Sequence, residues 1–250
     1  MILLTFNIAM PTYQYSEKQN IDQDQLITTI EKKLGIILQK LELNGFLATF
    51  FIEISLVKLL EKQLKNIVYA GHEVAFFNAD SDTETIEKTK IVAEQFLQKP
   101  IRGLRQKYHQ IDYPEIKKMN FSYVSNIEES SINFLWRKLS SKTDIHYKND
   151  LTIIPESQSP YSQLPFNDFV FQVTPMRYYE SMITESLKSS EYVMIYTNIW
   201  QYMTAEELPY KLPFYKRLNI GTNTEKRLEK LLQYIDESEI AVSRMKDYLF

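Results

Sequence analysis

Side chains capable of chemistry are few in this chain. Its 250 residues contain no cysteine, which removes disulfides, thiolate nucleophiles and every Cys-based zinc or iron–sulfur site. The histidines are His72, His109 and His146, so a histidine-rich metal site must draw on those alone. They are evenly spaced, but Ala-Gly-His-Glu-Val, Lys-Tyr-His-Gln-Ile and Asp-Ile-His-Tyr-Lys share nothing else, and no internal repeat is present. Asn78, Asp80 and Asp82 cluster and offer oxygen ligands of the kind Mg²⁺ or Ca²⁺ take. The same Asp80-Ser81-Asp82-Thr83 stretch directly precedes a helical pattern, where Asp and Ser cap exposed N–H groups and favour the helix dipole. Capping is the preferred reading there.

Composition excludes further classes. Gly35, Gly45, Gly71, Gly103 and Gly221 are the only glycines and all are isolated, so neither a P-loop nor a dinucleotide fingerprint is present. The balance of 29 basic against 32 acidic residues gives a net charge of −3, which lacks the basic footprint a nucleic-acid partner requires. The run Glu225-Lys226-Arg227 with Lys230 is expected to be a solvated helix face and not a membrane patch. The 17 Tyr, 14 Phe and 2 Trp suit core packing first and sugar stacking second. The chain starts Met-Ile-Leu-Leu without a signal-peptide pattern. Its most apolar stretch, Gly45 to Leu60, carries Glu53 and Lys58 and is short for a bilayer. No membrane insertion and a cytoplasmic location are the expectations.

The elements that must position these residues alternate. Short apolar runs expected as strands occur at 2–6, 46–52, 72–77, 121–124, 151–154, 169–173, 192–196 and 240–242, with a further short segment at 101–105. Helical periodicity fills the gaps from Asp22 to Asn44-Gly45 and over 56–67, 83–97, 113–119, 176–187 and 224–234. Strand–helix alternation with short links is the pattern of parallel βαβ units. Strands apolar throughout mark a sheet covered on both faces or closed into a barrel. The stretch from Glu128 to Gln163, with its serine pairs and Pro155 and Pro160, is less regular.

Four stretches carry a resemblance: Leu3-Leu4-Thr5-Phe6-Asn7, Asn44-Gly45-Phe46-Leu47-Ala48-Thr49-Phe50-Phe51, Ala70-Gly71-His72-Glu73-Val74-Ala75, and Gly103-Leu104-Arg105 with Phe121-Ser122-Tyr123-Val124-Ser125 beyond. Together they resemble the polysaccharide deacetylases, the NodB-homology carbohydrate esterases, in the branch with a C-terminal extension that occurs in exopolysaccharide gene clusters. Ile195–Gln201 and Phe214–Leu232 resemble the late strand end and closing helix of that branch, so the resemblance spans nearly the whole chain. It implies an α/β fold, a distorted (β/α) barrel of fewer than eight complete units. One domain over 1–250 is expected, with a core over 1–126 and an irregular connection and extension over 127–250 completing the barrel. The site would lie at the C-terminal ends of the strands.

The resemblance also implies a reaction whose residues are missing. In the family an Asp and two His hold a divalent metal that activates water toward an N-acetyl carbonyl, a second Asp is the base and a late His the acid. Here the first motif reads Thr5-Phe6-Asn7-Ile8-Ala9-Met10, without a carboxylate. Phe77 and Ser81 stand where the metal histidines belong, Asn198 matches the acid His, and Gln201 the Glu after the tryptophan. His72 is retained as a packed, hydrogen-bonded neighbour of the strand and not as a ligand. Arg105, which in the family orients the catalytic carboxylate, and Trp200 survive. The expectation is a catalytically degenerate barrel with no cofactor. Asn7, Arg105, Tyr108, Asn198, Trp200 and Gln201 would form a groove for a carbohydrate or a polysaccharide-pathway protein. A hydrolase with a rebuilt site, metal-dependent through Asp80 and Asp82 or metal-free, and a structural subunit paired with an active deacetylase are the alternatives.

Overall fold

Alternating apolar runs and amphipathic stretches fold into nine strands and eight α-helices among the described residues, which in this computed structural model are 1–10, 22–107, 110–127 and 145–250. In chain order these are β1 (Ile2–Ile8), α1 (Gln23–Leu43), β2 (Thr49–Glu53), α2 (Glu61–Tyr69), β3 (Glu73–Asn78), α3 (Thr83–Leu97), β4 (Gly103–Lys107), α4 (Tyr113–Lys118) and β5 (Tyr123–Ile127). After the undescribed stretch come β6 (His146–Lys148), β7 (Leu151–Ile154), α5 (Asp168–Val173), α6 (Met176–Ser189), β8 (Val193–Asn198), α7 (Thr222–Glu237), β9 (Val242–Ser243) and α8 (Met245–Leu249). No helix of the described residues is long and apolar enough to cross a membrane.

The strands form one curled, incomplete barrel in the order β6-β7-β5-β4-β3-β2-β1-β8, with β9 pairing the start of β1. Every pairing is parallel except β6 with β7. The side-chain period of a strand sends alternate residues to opposite faces. Ile2, Leu4, Phe6 and Ile8 therefore join the layer between sheet and helices, while Leu3 packs in a second cluster with Phe51, Phe77, Tyr123, Met194 and Tyr196. Among the described residues no strand closes the gap between the edge strands β6 and β8. The segment after β7 runs along the free edge of β8 instead: Met194 N–H donates to Ser157 Oγ at 2.9 Å and Tyr196 N–H to the Phe166 carbonyl at 3.2 Å.

Three sequence expectations need correction. The run 169–173, expected as a strand, is helix α5. Asn167 Oδ1 accepts the Val170 N–H at 2.9 Å at its start. At its end Arg227 Nε donates to the Phe171 carbonyl at 2.8 Å and Nη2 to that of Thr174. A six-residue helix is too short to persist alone, and these tertiary bonds hold both its ends. For the same reason Arg227 is not part of a solvated face. On α7 the neighbouring Glu225 also turns inward, pairing with the buried Lys33 of α1 at 3.2 Å. Finally, the helix expected over 56–67 is a 3-10 turn at Ile54–Leu56 followed by α2.

Candidate functional site

β1, β4, β5 and β8 bring Thr5, Asn7, Arg105, Ser125 and Asn198 to the inner face toward the C-terminal strand ends. Arg105 is fully buried, at 0% exposure. Its Nε donates to Ser125 Oγ at 3.1 Å, and its Nη1 to Thr5 Oγ1 at 3.0 Å and Asn7 Oδ1 at 2.6 Å. The guanidinium lies 3.8 Å from the centroid of the Phe51 ring and 5.2 Å from that of Tyr196, close enough for cation–π attraction. The Tyr196 hydroxyl in turn donates to Glu156 Oε1 at 2.5 Å. Burial pulls Arg105 down from 12.5 to about 10, opposed by the Tyr196 and Tyr123 phenols and the Glu156 carboxylate. Arg105 therefore stays charged at neutral pH inside the barrel.

Hydrogen bonds continue outward from it. Asn7 Nδ2 donates to Asn198 Oδ1 at 3.0 Å, and Asn198 Nδ2 to Asp168 Oδ2 at 2.6 Å. One line of amides thus joins the buried guanidinium to a carboxylate at the strand ends. Helix α5 supplies that carboxylate, with Asp168 its first residue. Gln201 fixes the end of β8: its Oε1 accepts the Asn198 N–H at 2.8 Å, and its Nε2 donates to the Asp168 carbonyl at 3.0 Å and to Gln172 Oε1 at 2.9 Å.

The structure sorts the expected groove residues unequally. Asn7, Arg105 and Asn198 converge. Gln201 is fully buried, and its amide is spent within the fold. Trp200, expected to present a flat face to a pyranose, is 4% exposed and packs among the residues between sheet and helices. Both are corrected to structural roles. Tyr108 and His109 lie outside the described residues. Asp168 and Glu156 were missed, because each stands in a stretch whose sequence shows no catalytic spacing.

The residues present do not fit the metal that the resemblance implies. Asn7 Oδ1 is engaged by Arg105, Phe77 is a buried apolar side chain in the inner cluster, and the Ser81 N–H donates to Asn78 Oδ1 at 2.8 Å in a local turn. Asp80 is exposed, and Asp82 caps α3 by accepting the Thr85 N–H at 2.7 Å, which lowers its carboxyl value. Among the described residues no three His, Asp or Glu side chains are grouped to hold a metal ion. His72 packs edge-on to Phe50 with ring centroids 5.4 Å apart, and its Nδ1 accepts the Ala48 N–H at 3.2 Å. Burial, with help from Arg244, lowers it from 6.5 to about 4, so the ring is neutral.

No protein-family profile and no curated protein matches this chain. Solved structures do match. A CE4 family pseudoenzyme from Bacillus anthracis superposes on 100% of this chain and 65% of its own length, at 13% identity and a TM-score of 0.53. A probable polysaccharide deacetylase from Pseudomonas aeruginosa PAO1 matches 98% of this chain and 88% of its own, at 11% identity and a TM-score of 0.63. A Puue allantoinase matches 98% and 87%, also at 11% and 0.63. The chain has the fold these proteins share, with the polysaccharide deacetylases among them. An allantoinase on the same fold shows that the fold alone does not choose the reaction.

Proposed function

We propose that this chain is a catalytically degenerate relative of the polysaccharide deacetylases that binds a carbohydrate or a protein of polysaccharide metabolism at its C-terminal strand ends. The observation that carries the proposal is the bonding among Arg105, Asn7 and Asn198. Amides stand where the family resemblance places a catalytic acid residue and a histidine, and they bond to each other and to the arginine. An amide oxygen takes no proton at neutral pH, while an amide keeps both a donor and an acceptor. That exchange abolishes proton transfer and retains hydrogen bonding, the currency of sugar recognition. Asn198, half-buried and next to Asp168, is the reachable end of the line.

The test has two parts. Incubation with N-acetylated oligosaccharides and added Zn²⁺, Co²⁺ or Ni²⁺ is expected to release no acetate above a heat-killed control. A glycan panel is expected to give binding that Asn198→Ala weakens. Chelator-sensitive acetate release overturns the degenerate reading, and binding indifferent to Asn198 moves the function to another surface. One observation favours a second reading, a hydrolase with a rebuilt, metal-free site: Asp168 places a carboxylate beside Asn198. Under that reading acetate release would persist in chelator and vanish in Asp168→Asn.

A further inference from the structure

The opposite end of the barrel holds a cavity of about 260 Å³, set among the start of β3, the turn before β4 and the β9–α8 junction. Lys99, Arg244 and Lys246 line it, together with His72 and Glu73. In a chain whose net charge is −3, this local excess of cations runs against the overall balance.

The acids nearby are engaged mainly by other groups. Glu73 faces the barrel interior, where Oε1 accepts from the Tyr123 hydroxyl at 3.0 Å and Oε2 from the Thr49 hydroxyl at 2.8 Å and the Lys246 N–H at 3.0 Å. Burial also raises its carboxyl value, which disfavours the charged form. Asp247 is bonded to Arg244 Nε, while Arg244 Nη1 donates to the Gly71 carbonyl. Lys99 and Lys246 make no ion pair among the described residues. Burial lowers Lys246 first and repulsion from Arg244 second, opposed by attraction to Glu73 and Asp247. A further donor is fixed in the wall. His72 is 4% exposed, and its Nδ1 accepts the Ala48 N–H. The neutral ring therefore carries its proton on Nε2, for which the described residues provide no acceptor.

We infer that this cavity binds a phosphate group through the Lys99 and Lys246 ammoniums and the Nε2–H of His72. Two ammoniums outside any ion pair among the described residues attract an anion, and donors from three separate chain segments suit a tetrahedral oxyanion better than a planar carboxylate. A bound water takes up only about 30 Å³, so the cavity has room for the oxyanion and the first atoms of whatever carries it. Free inorganic phosphate and a sugar phosphate present the same chemistry. The site is remote from the strand-end amides and does not rest on the function proposed for them.

Titration calorimetry at low ionic strength and pH 7.5 tests this with inorganic phosphate, glucose 6-phosphate and glucose. Saturable one-to-one binding of phosphate is expected, weakened about tenfold by Lys99→Gln and further by the pair with Lys246→Gln, and unchanged by Lys62→Gln on the exposed face of α2. Tighter binding of glucose 6-phosphate than of phosphate identifies a phosphomonoester as the ligand, and equal binding identifies the free anion. Absence of saturable phosphate binding overturns the inference, as does equal binding of glucose or equal weakening by Lys62→Gln. Lys99 is exposed, so its single variant keeps the test decisive even if the double variant folds poorly.

Discussion

The two ends of the barrel treat polar groups in opposite ways. At the C-terminal end Arg105, Asn7, Asn198, Gln201 and Asp168 donate and accept among themselves. At the N-terminal end Lys99 and Lys246 face a cavity without an ion pair among the described residues, and a histidine N–H shares it. A buried network whose members satisfy one another rigidifies the fold and confines new bonding to its half-buried end at Asn198, whereas charge without an ion pair beside a cavity is binding capacity held in reserve. The end where barrels of this kind conduct chemistry is here the more self-contained of the two, and the end usually given over to stability carries the open charge.

The contrast breaks most sharply at Arg105. Arg105→Ala is expected to destabilise the protein by about 4 kcal/mol, through a large cavity and the orphaning of Asn7, Thr5 and Ser125. Arg105→Met should cost clearly less, since it refills the space and brings no charge into the interior. Urea unfolding of the two variants measures the difference, and equal losses would show that the lost hydrogen bonds and ring contacts, not packing, account for the residue.

Gly103→Ala probes the other end. A Cβ there would lie 2.1 Å from Tyr123 Cζ and 2.2 Å from its hydroxyl oxygen. Tyr123 is fully buried and bonded to Glu73, so it cannot swing away. A loss of about 3 kcal/mol is expected, read as a lower thermal midpoint, and Tyr123→Phe in the same background should not restore it because the ring still collides.

His72 gives the N-terminal end a pH signature. Its folded value, about 4, lies below the ordinary 6.5, so between these values the unfolded chain binds the extra proton and stability falls as pH drops. Glu73, raised by burial, acts in reverse, with stability lost as pH rises above its ordinary 4.5. Comparing wild type with His72→Asn, which keeps an acceptor for Ala48, isolates the histidine. Wild type is expected to lose on the order of 2 kcal/mol more than the variant between pH 7 and pH 4.5. Parallel pH profiles would refute this. The smallest effect is expected at the half-buried Asn198, where Asn198→Ala should cost about 1 kcal/mol in urea unfolding. A loss as large as that of Arg105→Ala would mean that the amide line acts as a single unit.

What the sequence determined by itself is the alternation of strand and helix and the residue types at the strand ends. β1, β3, α3, β7 and β8 lie where apolar runs and helical periodicity put them, because period and capping are local properties. That Asn7, Phe77, Ser81 and Asn198 are neither acids nor histidines is likewise legible one residue at a time. Only the tertiary structure decided how those residues are used. Phe169–Val173 reads equally well as a strand, and becomes helix because Asn167 and Arg227, the latter more than fifty residues away in the chain, satisfy its two ends. Asp168 reaches Asn198 only through that helix. Trp200 and Gln201 carry the marks of a binding surface in sequence, yet they are buried, since exposure depends on what packs above a strand end and not on residue type. The N-terminal cavity is assembled from residues near 72, 99 and 245. No spacing rule connects these, because closure of the sheet brings them together and not periodicity along the chain.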